Sequence, residues 1–148
     1  MSTVVRPPYE TALLVRDSCL CLYVQRAARA LARRFDHVLR PLGLTNGQFS
    51  LMMSLNRPGA AGMAAVASLL AMDRTTLTAA LKPLQRRGLV KVAADARDRR
   101  GRLLTLTAKG RRLLVRAVPA WKRTHLEIEG LLPDGGAERL RKNLRVLS

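Results

Sequence analysis

The stretch LVKVAADARDRRGRLLTLTA, residues 89–108, narrows the folds open to this chain more than any other segment. Its two ends, LVKVAA (89–94) and RLLTLTA (102–108), have the apolar and β-branched make-up of short strands. The DARDRRG between them places Arg97, Arg99 and Arg100 close together, with Arg102 directly after. Cations set so close repel one another unless they straddle a polyanion. Two strands joined by a basic tip are expected, and what precedes them decides the rest.

Immediately upstream, MDRTTLTAALKPLQRRGLVKV (72–92) reads as a helix that runs into the first strand. Asp73 is a good N-cap, placed to accept from the backbone of Thr75 or Thr76. Leu77, Leu81 and Leu84 are spaced four and three apart and form one buried stripe. Away from that stripe lie Arg74, Thr75, Thr76, Thr78, Ala79, Lys82 and Arg86: small, hydroxylated or cationic, with no acid among them. Small side chains permit close approach, hydroxyls bond phosphates or base edges, and cations add Coulombic attraction. Pro83 is expected to bend or loosen the turn before it, and Gly88 to end the helix.

Two more helices stand before this one. TNGQ (45–48) has Thr45 as N-cap and Gln48 three residues on, a capping box for a helix reaching about Leu55. NRPGAAG (56–62) is turn chemistry, and a short apolar helix follows over residues 64–71. A helix-turn-helix followed at once by a basic strand pair makes a winged helix. Long helices flank it. The first begins near Thr11, with Val24, Ala27, Ala28, Leu31, Phe35, Val38, Leu39 and Leu42 at helical spacing, and Pro41 and Gly43 close it. The second runs from Lys109 to about Leu132, with Pro119 interrupting its ladder; PDGG (133–136) breaks it, and a short helix carrying Leu140, Leu144 and Leu147 ends the chain.

Charge points the same way. The chain has 27 Lys and Arg against 10 Asp and Glu, a net charge of +17. Residues 74–116 hold 13 basic residues and two acids, which is +11 of that total. The natural partner is a polyanion, nucleic acid or an anionic membrane face. A wing-tip arginine is slim enough to enter a DNA minor groove, where negative potential concentrates. Arg97, Arg99, Arg100 and Arg102 are therefore assigned to DNA, and Asp98, lying between arginines, is expected to pair with one and fix its direction. No apolar run approaches the roughly 18 residues of a membrane span, and Pro7 and Pro8 stand where a signal peptide needs an apolar core. A cytoplasmic protein without a membrane partner is expected.

With LRPLGLTNGQFSLM, DRTTLTAALKPLQRRGLV and DARDRRGRLLTLTAKG, this order of elements closely resembles the MarR family of bacterial transcription regulators, over roughly residues 18–147. The resemblance implies a homodimer of winged-helix subunits that binds palindromic operator DNA, usually as a repressor. The expected fold is mainly α with a small β wing: a loose arm at 1–10, then one domain over 11–148. Within it, 11–43 and 109–148 are dimerisation helices and 44–108 is the DNA-binding lobe. The family's helix contacts fall on Thr75, Thr76, Ala79 and Lys82, and its wing pair on Asp98 and Arg100. Dimerisation also follows from reach, because one short recognition helix reads too few base pairs to be selective, whereas two copies ~34 Å apart read successive major-groove faces. Many relatives release DNA when a small aromatic acid or an oxidant acts near the dimerisation region.

Signal input is less constrained. Cys19 and Cys21, at the start of the first long helix, point ~200° apart and cannot close a disulfide within one regular helix. By the resemblance, Cys21 matches the reactive cysteine of the hydroperoxide-sensing branch, where two tyrosine hydroxyls hold the thiolate. Here Gln25 and Phe35 take those places. Phe35 cannot donate, so Cys21 reads first as a small buried apolar residue, with a redox role for Cys21 and Cys19 as the alternative. Operator binding is expected to survive hydroperoxide. The expected effector is a small aromatic or anionic molecule drawn to arginines between the dimer helices and the DNA lobe. His37 and His125 are isolated, so no metal and no cofactor is expected, and no catalytic set is visible. The competing function from another class is a basic module that binds RNA or coats DNA without sequence preference.

Overall fold

A break at Cys19 divides what the periodicity presents as one helix. In the computed structural model, which describes residues 5–148, α1 (Tyr9–Ser18) ends where Cys19 turns extended at φ −70° and ψ 107°. The Ser18 hydroxyl donates to the Leu14 carbonyl (2.6 Å), and such back-bonding competes with the helix's own ladder. α2 (Leu20–Leu39) then begins afresh. The first helix also starts earlier than expected, at Tyr9 directly behind Pro8, with Glu10 in its first turn where the helix dipole favours an acid. Residues 1–4 of the expected arm lie outside the described residues.

The chain falls into two units, residues 1–34 and 35–148. In the first, α1 and the greater part of α2 expose Leu14, Val15, Leu20, Tyr23, Val24 and Leu31. The second holds the core. Its helices are the end of α2, α3 (Asn46–Ser54), α4 (Met63–Leu69), α5 (Arg74–Arg86), α6 (Ala108–Glu129) and α7 (Gly136–Leu147). Its sheet has the order β1-β3-β2, from Ala61–Gly62 (β1), Asp98–Leu106 (β3) and Val90–Asp95 (β2).

The helix starts follow their caps. Thr45 accepts from the Gln48 amide (3.1 Å) while the Gln48 side chain accepts from the Thr45 amide (3.1 Å), so the expected capping box is present. Asp36 ties the end of α2 to this start by accepting from the backbone and side chain of Asn46 (2.7 and 2.9 Å), which holds its carboxyl below the usual range. Thr107 caps α6: its hydroxyl oxygen accepts from the Gly110 amide (3.0 Å) and its proton goes to the Gly88 carbonyl (2.7 Å). At the end of α5, Gly88 takes φ +67°, and two backbone bonds close the turn, Gly88 to Gln85 (2.9 Å) and Leu89 to Leu84 (2.9 Å). The turn between α4 and α5 has the same pair of bonds, Ala71 to Ser68 and Met72 to Ala67, but Ala71 holds the left-handed position at φ +51° without being glycine.

Leu77, Leu81 and Leu84 are solvent-free, and with Leu39, Leu51, Met52, Leu89 and Leu104 they form the centre of the core. Each such side chain contributes about 2 kcal/mol by leaving water. Two expectations need correction. Residues 61–62 are not only turn but a short strand paired with Leu103 and Leu104, giving three strands instead of two. As expected, α5 and α6 hold Pro83 and Pro119 inside their spans, and each proline removes one ladder bond without ending its helix. The second long helix stops at Glu129, short of Leu132. On α7, Arg141 pairs with Glu129 (2.6 Å) and Glu138 (3.1 Å), which holds both carboxyls below their usual range.

Candidate nucleic-acid interface and an adjoining cleft

The first turn of α5 is set by Asp73. One carboxylate oxygen accepts from the Thr76 amide (2.7 Å) and the other from the Thr76 hydroxyl (3.0 Å), and these two bonds hold the Asp73 carboxyl below its ordinary range. With Leu77, Leu81 and Leu84 buried, Arg74, Thr75, Thr76, Thr78, Ala79, Lys82 and Arg86 are all exposed. The Thr78 hydroxyl donates to the Arg74 carbonyl (2.8 Å). With their protons thus engaged, Thr76 and Thr78 present acceptor lone pairs outward.

The wing is tighter than the sequence suggests. Pairing of β2 with β3 is regular from Val90↔Leu106 to Ala94↔Arg102, then jumps to Asp95↔Asp98. Arg99, Arg100 and Gly101 therefore bulge from β3, and only Ala96 and Arg97 form the hairpin turn. Gly101 fits closely there: a β-carbon would lie 3.1 Å from the Asp95 β-carbon and 3.3 Å from the Asp98 carbonyl oxygen, so these neighbours would have to give by a few tenths of an ångström. Asp98 does not pair with a guanidinium as expected; its carboxylate accepts from the Arg100 backbone amide (3.0 Å), and Asp95 does the same for Arg97 (2.9 Å). Both acids shape backbone, because an amide two residues on is nearer to a short side chain than any arginine head. Arg97, Asp98, Arg99, Arg100 and Arg102 are exposed, and among the described residues none of these arginines is in an ion pair. Arg102 donates to the Gly101 carbonyl (3.0 Å) and Arg74, across from α5, to that of Arg100 (2.6 Å). The structure thus brings the expected helix and wing residues to one exposed region, joined by Arg74.

The cysteines are placed differently from expectation. Cys21 is exposed rather than buried, and its sulfur accepts from the Gln25 side-chain amide (3.1 Å), whose oxygen accepts from Arg29 (3.3 Å). Cys19 is half-buried and sits at the break between α1 and α2, outside any regular helix, so the ~200° separation does not describe this pair.

Sequence reasoning missed a cleft of about 490 Å³ between α3, α4 and α6. Phe49, Met53, Leu69 and Trp121 give it apolar walls, and Ser50 and Lys122 also line it. Trp121, the chain's one tryptophan, lies near-parallel to Phe49 (6.1 Å between ring centres) and to His125 (4.8 Å). Trp121 is one of the apolar positions of α6, and nothing local in the sequence signals a cavity beside it. Among the described residues no group of three His, Cys, Asp or Glu is placed to hold a metal ion, and no helix is long and apolar enough to cross a membrane.

The chain is similar to known transcription regulators. Residues 44–101 match the MarR family profile. The transcriptional activatory protein BadR of Rhodopseudomonas palustris is 37% identical over 89 residues, which is 58% of this chain and 51% of BadR. The chain spans about half the length of the first curated relatives it matches. The transcriptional regulator MosR of M. tuberculosis, crystallised with DNA, is 39% identical, with 88% of this chain and 93% of that one covered and a TM-score of 0.80. BpsR of Bordetella bronchiseptica, whose DNA binding is regulated by 6-hydroxynicotinic acid, is 27% identical over 86% of this chain and 91% of its own, with a TM-score of 0.77.

Proposed function

The chain belongs to the MarR family, and from that premise we propose that it is a sequence-specific DNA-binding transcription regulator. It acts as a homodimer on a palindromic operator, represses by occupying it, and lets go when a small ligand binds. The observation that carries this reading is the acid-free, exposed face of α5 beside wing arginines that have no carboxylate partner among the described residues. Unpaired cations beside small side chains favour a close polyanion over a merely solvated surface. The competing non-specific module is separated by affinity for a palindromic duplex from upstream of the protein's own gene against scrambled duplex and RNA. A ratio of ~10³ or more at physiological salt is expected, and a ratio near one would overturn the reading.

Helix and wing are expected to fail differently. Ala79→Leu, on the small-residue face, should cut the operator-to-scrambled ratio by about tenfold or more, since a bulky group holds the helix off the base edges. Arg100→Ala should weaken both duplexes alike and flatten the slope of log K against log salt by ~0.9. An unchanged slope would remove Arg100 from the interface.

The effector is proposed to be a small aromatic acid held in the cleft, its ring against Trp121 and its carboxylate on Lys122. Apolar walls with one cation match that chemistry, and a hydroxylated pyridine carboxylic acid regulates BpsR. Because Trp121 is the only tryptophan, 6-hydroxynicotinic acid and simple benzoates are expected to change intrinsic fluorescence and to release operator, and Lys122→Met should weaken both effects about tenfold. The second reading, a thiol switch, is favoured by the exposure of Cys21 and by the break at Cys19. Hydroperoxide-induced release that Cys21→Ser abolishes would establish it in place of the ligand.

A further inference from the structure

Arg74 is exposed among the small and cationic residues of α5, yet one nitrogen of its guanidinium is engaged by the wing. It donates to the Arg100 carbonyl at 2.6 Å, across 26 residues of sequence. The Arg100 amide is held from the other side by the Asp98 carboxylate at 3.0 Å. Both backbone polar groups of Arg100 are therefore fastened, one within the wing and one to the first residue of the recognition helix. This is achieved only because Arg99, Arg100 and Gly101 leave the β2–β3 ladder, since a residue in register would have spent those groups on the neighbouring strand. A cationic donor on a carbonyl is among the stronger hydrogen bonds, and Arg74 is anchored by its place next to the Asp73 cap.

We propose that Arg74 is a positioning residue: it straps the wing to the recognition helix and so sets where the Arg100 side chain meets DNA, without itself contacting a phosphate. The inference rests on the reading of α5 and the wing as a DNA interface. Its consequence is that major-groove and wing contacts are made in one fixed spacing. With the strap cut, the bulge is held only by Asp98, and Arg100 samples positions that miss the backbone it would neutralise.

The test uses Arg74→Met, which keeps the aliphatic stem and removes the donor, alone and combined with Arg100→Ala. In the free protein, amide exchange over residues 99–101 is expected to rise about tenfold with the thermal midpoint unchanged, because only a surface strap is lost. On operator DNA, Arg74→Met should flatten the salt slope by ~0.9, as Arg100→Ala does, and the double variant should also lose ~0.9 in total. Its affinity should lie within about twofold of either single variant. Gly101→Ala, whose methyl would crowd Asp95 and Asp98 at 3.1–3.3 Å, should shift the bulge in the same direction and add nothing to Arg74→Met. A loss of ~1.8 in the double variant would show that Arg74 is a phosphate contact in its own right and overturn the proposal. Unchanged exchange in the wing would overturn it as well. If exchange rises while neither arginine affects DNA binding, the strap stands and the DNA reading of the wing falls.

Discussion

Gly110→Ala is expected to lower the stability of the protein by about 3 kcal/mol, and its thermal midpoint by roughly 10 °C. A β-carbon at this position would collide with the Leu89 carbonyl oxygen and come within 3.3 Å of the Leu106 side chain. Neither neighbour is free to retreat. Leu89 enters β2 directly from the closing turn of α5, and the Leu89 carbonyl accepts from the Thr107 amide (3.1 Å). Thr107 holds α6 against that segment by bonding both the Gly110 amide and the Gly88 carbonyl. The buried glycine is what lets a helix start pass so close to another backbone. Gly47→Ala is the internal control, for its new methyl would meet only the Thr45 hydroxyl oxygen at 4.0 Å. In the first turn of α3 the same change should be neutral or stabilising by up to about 1 kcal/mol. Urea melts of the two variants check the contrast, and equal midpoints would refute the packing argument.

Removing residues 133–148 should abolish specific operator binding, lowering affinity by about a thousandfold, although residues 44–108 remain intact. α7 exposes Leu140, Leu144, Val146 and Leu147, and Leu126 and Leu131 are exposed beside the segment that leads into it. We propose that a second copy covers this apolar surface. The truncated chain then either aggregates through the uncovered end of α6 or stays monomeric, and a monomer engages half a palindrome only. Sedimentation together with operator titration decides it. A truncated protein that is soluble, monomeric and still operator-specific would remove the C-terminal helices from the dimer.

What the sequence made legible was what side chains do to their nearest backbone. Thr45 with Gln48, Asp73 and Gly88 mark helix ends because capping is local, and each is found where expected. The 77–81–84 stripe was legible because burial has a period. Features made by distant partners were not. β1 is two residues, Ala61 and Gly62, and is a strand only because Leu103 and Leu104 offer it a partner. The break at Cys19 carries no proline or glycine to announce it. Asp98 among arginines suggested an ion pair, since composition shows charges and hides amides. For the interface, exposure of the α5 face and the wing could be anticipated from periodicity and charge, whereas the Arg74 bond depends on a bulge whose register only the fold sets. The cleft beside Trp121 is a property of three helices at once.

Ala71 gives the turn between α4 and α5 a mechanical character. An alanine forced to φ +51° would relax elsewhere if it could, at a gain of order 1 kcal/mol. The bonds from Ala71 to Ser68 and from Met72 to Ala67 keep it in place. The two bonds and the constrained alanine together favour a single setting of this elbow. α5, the recognition helix of the proposed function, would thus be carried ready-aimed, with little ordering left to be done when DNA arrives. On the DNA-binding reading proposed above, tolerance toward a stretched or compressed operator would have to come from bending of the duplex or from movement outside the helix-turn-helix, and the protein would act as a rigid gauge of its DNA and not as an adjustable clamp.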